Sequence, residues 1–347
     1  MIKLSQPPKS ICIFRLSAIG DVSHILPVIH TLKKTWPECK ITWIIGKLEY
    51  QLVKNLAGVK FIQFDKSKGW AAYRTLHQNL NGETFDILLM MQAALRASIA
   101  SLFISAQYKL GFDKARAIDY QWLFSNQKIS GENRVHVLDT FFQFLDALGI
   151  EERIDCWDLH IDDSDLVFAE QLTQKKPMVV LNPCSSARKN NWRNWSAGRY
   201  AEVCDYLHHK GMQVLITGGP SDTEKTFCQA IVNQCKSDPQ DLVGLTSLGQ
   251  LLALLKAARF VIAPDTGPAH MATIVDTPVL GLYASSNPLR TGPYKSQSAL
   301  INRYPTALQR FKHTTVTDAA WGERVRAPQV MDLIRVEDVK KAIDSLL

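Results

Sequence analysis

Short runs of apolar, often β-branched residues alternate along this chain with longer segments in which apolar residues recur at helical spacing. Such alternation is typical of βα units that build a mainly parallel sheet. The pattern occurs twice, so the sequence predicts an α/β protein with two Rossmann-like domains. In the first series the predicted strands are 11–16, 41–45, 61–64 and 85–91, and the predicted helices are 22–36, 47–56, 70–80, 93–104 and 136–148, the last closing at Gly149.

The second series begins after residues 150–176, which are rich in Asp and Glu, have no sustained period and are expected to link the domains. We expect an N-terminal domain over 1–165, a C-terminal domain over 175–330, and a final helix within 331–347 that packs back across the junction. The stretch 303–328 predicts no element. The predicted strands are 178–181, 212–217, 260–263 and 279–283, and the predicted helices are 197–209, 222–235, 247–257, 268–275 and 336–347.

Length and composition agree with two globular domains. The chain has 347 residues, of which 46% are hydrophobic and 21% charged, the mixture of a soluble globular protein that is too long for one ordinary domain. The N-terminus lacks the apolar core of a signal peptide, and no apolar run approaches the ~20 residues of a membrane-spanning helix. A cytoplasmic location is therefore expected.

The cysteines and the net charge exclude few classes of function. Seven scattered cysteines form no C-x-x-C pair and no Cys/His quartet at metal spacing, so we expect reduced thiols and no metal site. The net charge of +7 is compatible with an anionic partner, and nucleic acid, an acidic membrane surface and a phosphorylated glycolipid all remain open at this level.

A polar loop, residues 17–21, directly follows the first predicted strand. Gly20 there permits a close backbone approach to a ligand or a positive φ, and Asp21 is suited to the N-cap of the next helix. Asp21 is either no more than that cap or a carboxylate that takes a proton from a hydroxyl nucleophile.

A second loop, Asp265 to His270, follows the predicted strand 260–263 and opens a helix. Gly267 allows a close approach and Pro268 suits the first helical turn, so backbone N–H groups and the helix dipole converge there. This arrangement predicts a diphosphate site. Asp265 could instead be a simple cap, and His270 an ordinary histidine on a helix face.

Further candidates lie after other predicted strands. Asp222 or Glu224, beyond the turn 218–220, could accept a hydrogen bond from a ribose hydroxyl. Lys189, or Arg188 beside it, could neutralise a diphosphate, although a solvated basic loop is the alternative. Three basic residues of the first half could line an acceptor side or simply be exposed charges: Arg96, Lys114 and Arg116.

Two common nucleotide motifs are missing from the sequence. Neither polar loop reads G-x-G-x-x-G, and G-x-x-x-x-G-K-[ST] does not occur. The nicotinamide and P-loop interpretations therefore lose their main support, although a nicotinamide-dependent oxidoreductase remains an alternative at the level of the fold.

Several segments resemble glycosyltransferase family 9, the ADP-heptose–lipopolysaccharide heptosyltransferases, over nearly the whole chain. The segments are SAIGD at 17–21, GFD at 111–113, DLVGLTSL at 241–248 and DTGPAH at 265–270. The resemblance implies a GT-B fold, in which two Rossmann-like domains face a central cleft, and an inverting, metal-independent transfer that needs no cofactor besides the donor ADP-heptose.

The resemblance also implies roles for individual residues. Asp21 is the expected general base, with Ser17 a neighbour of the sugar. On the donor side, Asp265 is expected to face heptose hydroxyls and His270 to lie close to the diphosphate. Backbone amides of Thr266 and Gly267 would hold the diphosphate, and Leu245 and Thr246 would contact adenine.

One position departs from the family pattern. Family members place a lysine one or two residues before the tryptophan of the loop that follows the first C-terminal-domain strand. Here Asn190 and Asn191 occupy those places before Trp192, and Lys189 lies one residue further back.

The resulting hypothesis is a heptosyltransferase at the cytoplasmic face of the inner membrane, in peripheral contact with it. Its partners would be ADP-heptose and an anionic lipopolysaccharide acceptor carrying Kdo or heptose, with no nucleic acid. The alternatives are a heptosyltransferase that modifies a protein such as an autotransporter, and a catalytically inactive GT-B protein that binds nucleotide sugars.

Overall fold

The computed structural model describes residues 2, 4–173, 176–185 and 191–347. Its internal contacts divide the chain into two compact units, Met1–His160 and Ile161–Leu347. Within the described residues each unit contains a six-stranded sheet with parallel strand pairing. The predicted α/β class and the two Rossmann-like domains are confirmed.

The first unit alternates strands with helices from β1 to α6. Its strands are β1 (Ser10–Phe14), β2 (Lys40–Gly46), β3 (Val59–Phe64), β4 (Thr84–Leu89), β5 (Ser105–Gly111) and β6 (Gln127–Lys128). Its helices are α1 (Ile19–Ser23), α2 (Ile25–Thr35), α3 (Lys47–Val53), α4 (Trp70–Leu80), α5 (Leu95–Ser101) and α6 (Val137–Asp146).

The second unit repeats the alternation. Its strands are β7 (Met178–Leu181), β8 (Gln213–Ile216), β9 (Gln240–Asp241), β10 (Phe260–Pro264), β11 (Val279–Tyr283) and β12 (Ile301–Asn302). Its helices are α7 (Asp163–Leu172), α8 (Ala197–His209), α9 (Asp222–Val232), α10 (Leu248–Ala257), α11 (Gly267–Ile274), α12 (Pro288–Thr291), α13 (Tyr304–Lys312) and α14 (Val336–Leu346).

Strand order is the same in both sheets. The first runs β3-β2-β1-β4-β5-β6 and the second β9-β8-β7-β10-β11-β12. The order reverses between β1 and β4 in one unit and between β7 and β10 in the other. Ligands of such sheets bind outside the carboxyl ends of the strands at this switch point, so the loops after these four strands frame the candidate sites.

Burial explains why these central strands form. Ile11, Cys12, Ile13 and Phe14 of β1 are fully buried, and every residue of β7, β10 and β11 is buried. A parallel sheet covered by helices on both faces requires such continuous apolar runs. The sequence pattern therefore predicts each of these central strands.

The structure corrects the prediction at several places along the chain. The supposed link 150–176 contains α7, which packs on α10; the helix buries only Ala169, so it lacks a strong apolar stripe. The stretch 303–328 contains α13. Four strands were not predicted, because they are short or mix polar with apolar residues: β5, β6, β9 and β12.

Helix ends agree better with the prediction. Gly149 adopts a positive φ of 83° just after α6, as expected of a glycine that terminates a helix. The predicted C-terminal helix is α14, whose Val336, Val339 and Ile343 are buried and which packs on α8 of its own unit. Its extension across the domain junction stays a prediction. Among the described residues, no helix has the length and apolar character needed to cross a bilayer.

Trp195, just before α8, belongs to the hydrophobic core of the second unit and provides a test of it. Its side chain is 1% exposed, and its Nε1–H donates to the Ile334 carbonyl oxygen at 3.0 Å. We expect Trp195→Ala to lower the free energy of unfolding by about 3–5 kcal/mol, measured by urea titration followed by circular dichroism. Trp70, 77% exposed, is the matched control, and Trp70→Ala should change stability by less than about 1 kcal/mol. Equal losses would contradict the assigned core.

Candidate active site

The segment after β1 leads directly into α1, and Asp21 is the third residue of that helix. The helix begins at Ile19, so Ala18 and not Asp21 occupies the N-cap position, which corrects the predicted cap. Asp21 Oδ2 instead accepts the backbone N–H of Ala18 at 3.3 Å, the reciprocal half of a capping box. Gly20 is buried within α1, so the positive φ considered for it is not used.

Arg15, which the sequence analysis missed, orients that carboxylate. Its guanidinium forms an ion pair with Asp21 Oδ2 and donates to the Met91 carbonyl oxygen after β4. The same group lies 5.2 Å from the centre of the Phe141 ring. The only signal in the sequence is a cation directly after an apolar strand, which alone does not distinguish it from an exposed charge.

Asp21 remains accessible in spite of these contacts. Its side chain is 31% exposed, and within the described residues both of its hydrogen bonds are made by Oδ2. Oδ1 is therefore available to accept a hydrogen bond or a proton from a hydroxyl group.

Gln92 joins the two loops at the switch point of the first sheet. Its Oε1, after β4, accepts the backbone N–H groups of Leu16 at 3.2 Å and Ser17 at 3.1 Å. These bonds fix the backbone at Ser17, which the resemblance assigned to the neighbourhood of the sugar. Gln92 was not predicted, because its partners lie 75 and 76 positions away along the chain.

Asp265 follows β10 at the switch point of the second sheet. Its side chain is 8% exposed, and Oδ2 lies 3.2 Å from Nη1 of Arg193, which also donates to the Asp265 carbonyl oxygen at 2.9 Å. His270 Nε2 lies 3.8 Å from Oδ1, an ion-pair distance rather than a hydrogen bond. Arg193 is therefore the closer partner.

The surroundings keep Asp265 ionised. Burial opposes ionisation, but His270 together with the positive charges of Arg193 and Arg324 outweighs it and lowers the pKa of Asp265 to about 2. A buried carboxylate in this state accepts hydrogen bonds strongly, which suits recognition of sugar hydroxyls.

Thr266, not Asp265, caps α11. Its Oγ1 accepts the Ala269 backbone N–H at 3.4 Å, and Pro268 lies in the first turn, so the alternative that Asp265 is only a cap is wrong. Pro268 has no N–H and Thr266 satisfies that of Ala269. The backbone N–H of Gly267 lies in the first turn of α11, at the positive end of the helix dipole, where anions bind.

Two loops at the carboxyl ends of β8 and β9 support each other. The Gly244 N–H donates to the Gly218 carbonyl oxygen at 3.0 Å. Gly244 has a φ of 73°, a backbone angle that residues other than glycine rarely adopt. Leu245 beside it is exposed and Thr246 half-buried. An exposed aliphatic side chain at a sheet edge offers a surface for a planar base.

Glu224 and Asp222 differ in their surroundings. Glu224 Oε2 accepts the Gly219 N–H at 2.5 Å, so this carboxylate shapes the turn after β8. Asp222 is exposed at the start of α9. Because the strands are parallel, both lie at the same sheet edge as Asp265.

The basic residues predicted for the acceptor side also differ. Arg116 is largely enclosed, with Nη2 2.6 Å from Asp113 Oδ2 and a further bond to Gln143, so the exposed-charge interpretation is wrong for it. Lys114 Nζ lies 5.8 Å from the centre of the Trp122 ring. Arg96 is exposed at the start of α5.

Other predictions concern metals, thiols and the diphosphate. Arg188 and Lys189 lie outside the described residues. Among the residues that the structure describes, Arg193, from the same stretch of sequence, is the arginine in contact with Asp265. All seven cysteines are free. Within residues 4–173, 176–185 and 191–347 no group of three or more His, Cys, Asp or Glu side chains could hold a metal ion.

Comparison with known proteins identifies the family of this chain. The model of glycosyltransferase family 9 (heptosyltransferase) matches residues 73–320. Lipopolysaccharide core heptosyltransferase OpsX of Haemophilus influenzae is 37% identical over 336 residues, 96% of each chain. The chain belongs to glycosyltransferase family 9. The resemblance stated from the sequence is thereby confirmed.

Solved structures confirm the GT-B fold. The family 9 glycosyltransferase of Veillonella parvula superposes with a TM-score of 0.78 at 23% identity, over 97% of each chain. Escherichia coli heptosyltransferase WaaC, solved with ADP, gives 0.73 at 18% identity, over 97% of this chain and 100% of WaaC. At these identities the likeness concerns the fold.

The low pKa of Asp265 predicts a pH-dependent contribution to stability. A carboxyl group whose pKa drops from about 3.9 in the unfolded chain to about 2 stabilises the fold above about pH 4, and this stabilisation is lost as the pH falls through 2. We expect the difference in unfolding free energy between the native protein and Asp265→Asn to shrink by about 2 kcal/mol between pH 5 and pH 2, measured by urea titration.

The control for this titration is Asp238→Asn, which changes an exposed aspartate of the same unit. Its difference from the native protein should stay constant over the same pH range. An Asp265→Asn difference that stays equally constant would contradict the ionised, stabilising role of Asp265.

Proposed function

We propose that this enzyme transfers heptose from ADP-heptose to an inner-core lipopolysaccharide acceptor, Kdo or heptose, with inversion and without a bound metal ion. The observation that carries the proposal is that each switch point has a carboxylate paired with an arginine, and that the two carboxylates differ in burial. Asp21 is partly exposed beside Arg15, and Asp265 is buried and ionised beside Arg193. Family membership and the names of OpsX and WaaC support the choice of sugar and acceptor.

In this proposal the second unit binds the donor. The Thr266–Gly267 backbone at the start of α11 would bind the diphosphate, with His270 beside it and Lys189 of the basic loop as a further cation. Asp265 would accept hydrogen bonds from heptose hydroxyls. Leu245 and Thr246 would contact adenine, and Asp222 or Glu224 the ribose.

The first unit would supply the acceptor side and the base. The acceptor oxygen attacks the anomeric carbon, and the bond from that carbon to the diphosphate breaks, so that ADP leaves with the electron pair. Asp21 takes the proton of the attacking hydroxyl, and Ser17 and Gly20 line the loop near the sugar. Charge that develops on the diphosphate is stabilised by the α11 amides and nearby cations.

We infer further that the acceptor is anionic and that the enzyme works at the cytoplasmic face of the inner membrane in peripheral contact with it. The net charge of +7 supports attraction to a phosphorylated glycolipid and to acidic lipids. Arg96, exposed on the first unit, and Lys114 are candidates for acceptor contacts, whereas Arg116 would act by holding the turn after β5.

The decisive experiment measures ADP release from ADP-heptose with and without heptose-deficient lipopolysaccharide. We expect acceptor-dependent release by the native protein, and a fall of about 10²- to 10⁴-fold in kcat for Asp21→Asn, because the base is lost while the shape is kept. Asp155→Asn, which changes an exposed aspartate of the same unit, is the control and should retain the native rate.

Other outcomes of this assay discriminate between the alternatives. A native rate in Asp21→Asn would remove Asp21 from its role but keep the reaction. Release that depends on a purified polypeptide rather than on lipopolysaccharide would indicate a protein heptosyltransferase. Binding of ADP without release on any truncated core would indicate a protein that only binds nucleotide sugars.

Metal independence gives a separate prediction. Because amides and cationic side chains replace a metal ion at the diphosphate in this proposal, dialysis against EDTA and assay in EDTA should leave the rate of ADP release within about two-fold of the untreated rate. The control is an assay with added Mg²⁺. A large loss in EDTA that Mg²⁺ restores would contradict this part of the proposal.

A further inference from the structure

A basic cavity of about 500 Å³ lies in the second unit. Arg290 of α12 lines one part of it, and Arg324 and Arg326, from the segment that follows α13, line another. Its other lining residues include Lys312 and Glu323, which form an ion pair at 2.9 Å. These two charges offset each other, so three guanidinium groups dominate the charge of the cavity.

The segment that carries two of these arginines is firmly held. The Val325 N–H donates to the Ser285 carbonyl oxygen at 2.9 Å, and the Ser285 hydroxyl donates back to the Val325 carbonyl oxygen at 2.9 Å. The Tyr304 hydroxyl donates to the Glu323 carbonyl oxygen at 2.9 Å. Val325 is fully buried in the core, while its neighbours on both sides line the cavity.

None of the three arginines contacts a carboxylate in the part of the chain that the structure describes, although the charge of Asp265 acts on Arg324. Within the described residues, no side-chain hydrogen bond or ion pair joins Arg290, Arg324 or Arg326 to a carboxylate at contact distance. The pKa of Arg324 is lowered, first by burial and then by the charge of Arg193, with Arg290 and Arg326 adding to the effect against the opposing charge of Asp265. Converging like charges cost stability unless an anion accompanies them.

We propose that Arg290, Arg324 and Arg326 form a binding site for an oxyanion, a phosphate or carboxylate group carried by a sugar or nucleotide. Guanidinium groups present paired donors that match these anions. The volume of the cavity is that of a small-molecule site rather than of a single ion. Ser285, which holds this segment, follows β11, and Asp265 follows the paired strand β10. The cavity therefore lies at the same sheet edge as Asp265, which we assign to the donor sugar, and the charge of Arg324 acts on Asp265.

Two substrates could supply this oxyanion. One is the diphosphate of the donor, and the other is the phosphate or carboxylate of an acidic acceptor sugar. The binding site itself stands without the proposed function, but the choice between these two sources rests on it.

The test measures binding of inorganic phosphate by isothermal titration calorimetry to the full-length native protein and to Arg326→Gln and Arg290→Gln. Arg326 is exposed and Arg290 belongs to a different element, so the two variants probe the cavity independently. Arg310→Gln on α13 changes an exposed arginine outside the cavity lining and is the charge-matched control.

We expect the dissociation constant for phosphate to rise about ten-fold or more in Arg326→Gln and in Arg290→Gln, but not in Arg310→Gln. No binding of phosphate by the native protein, or the same constant in all three variants, overturns the site.

A second titration in saturating ADP identifies the source. If ADP abolishes the arginine-dependent binding, the cavity serves the donor diphosphate; if this binding persists, it serves the anionic group of the acceptor. Should the native protein bind phosphate in this way yet release no ADP from ADP-heptose with any acceptor, the proposed function fails while the oxyanion site stands.

Discussion

Parallel pairing of the strands is the constraint on which both candidate sites depend. Because each described pairing is parallel, all the loops that follow strands within one unit reach the same sheet edge. The order then reverses between β1 and β4 and between β7 and β10, which opens a crevice at one place along that edge. Asp21 and Gln92 lie at one such place, and Arg193 and Asp265 at the other, so chain topology selects the residues that can meet a ligand.

At each switch point a carboxylate forms an ion pair with an arginine, but the two carboxylates differ in how far they are exposed to solvent. Asp265 is nearly enclosed, and the cations around it overcome the cost of burial, so it remains charged and fixed in position. Asp21 is four times more exposed than Asp265 and commits one oxygen to Arg15 and Ala18. A fixed, charged carboxylate suits binding of hydroxyl groups, whereas an accessible one with an oxygen that no described residue occupies suits proton transfer.

The sequence predicts the parts of this fold that depend on local pattern. The strands β7 and β11 agree with prediction at both ends, as does α4, because continuous burial or a clear apolar stripe leaves an unmistakable pattern. Helix α7 was missed since it buries a single alanine. Strand β5 was missed because only Leu110 and Gly111 at its end are buried.

In the candidate sites, too, features that depend on a local pattern could be predicted, and contacts between distant segments could not. The positions of Asp21, Thr266 and Asp265 could be predicted, because each lies in a segment with Gly or Pro that follows an apolar strand; their roles stay predictions. Arg193 could not be paired with Asp265, since they lie 72 positions apart and only the adjacency of β7 and β10 brings them together. Contacts made through sheet order leave no local signal in a single sequence.

The arginine cavity extends this reasoning to a stretch in which no element was predicted. Val325 is buried for packing, and the hydrogen bonds with Ser285 fix its backbone, so its neighbours are carried to one place whatever their charge. Arg324 interacts with Asp265 and also with Arg290 and Arg326. Burial and then the neighbouring positive charges lower the pKa of Arg324, and an oxyanion bound by these arginines would offset those charges. Occupancy of the cavity and the electrostatics of Asp265 are therefore coupled through a single side chain.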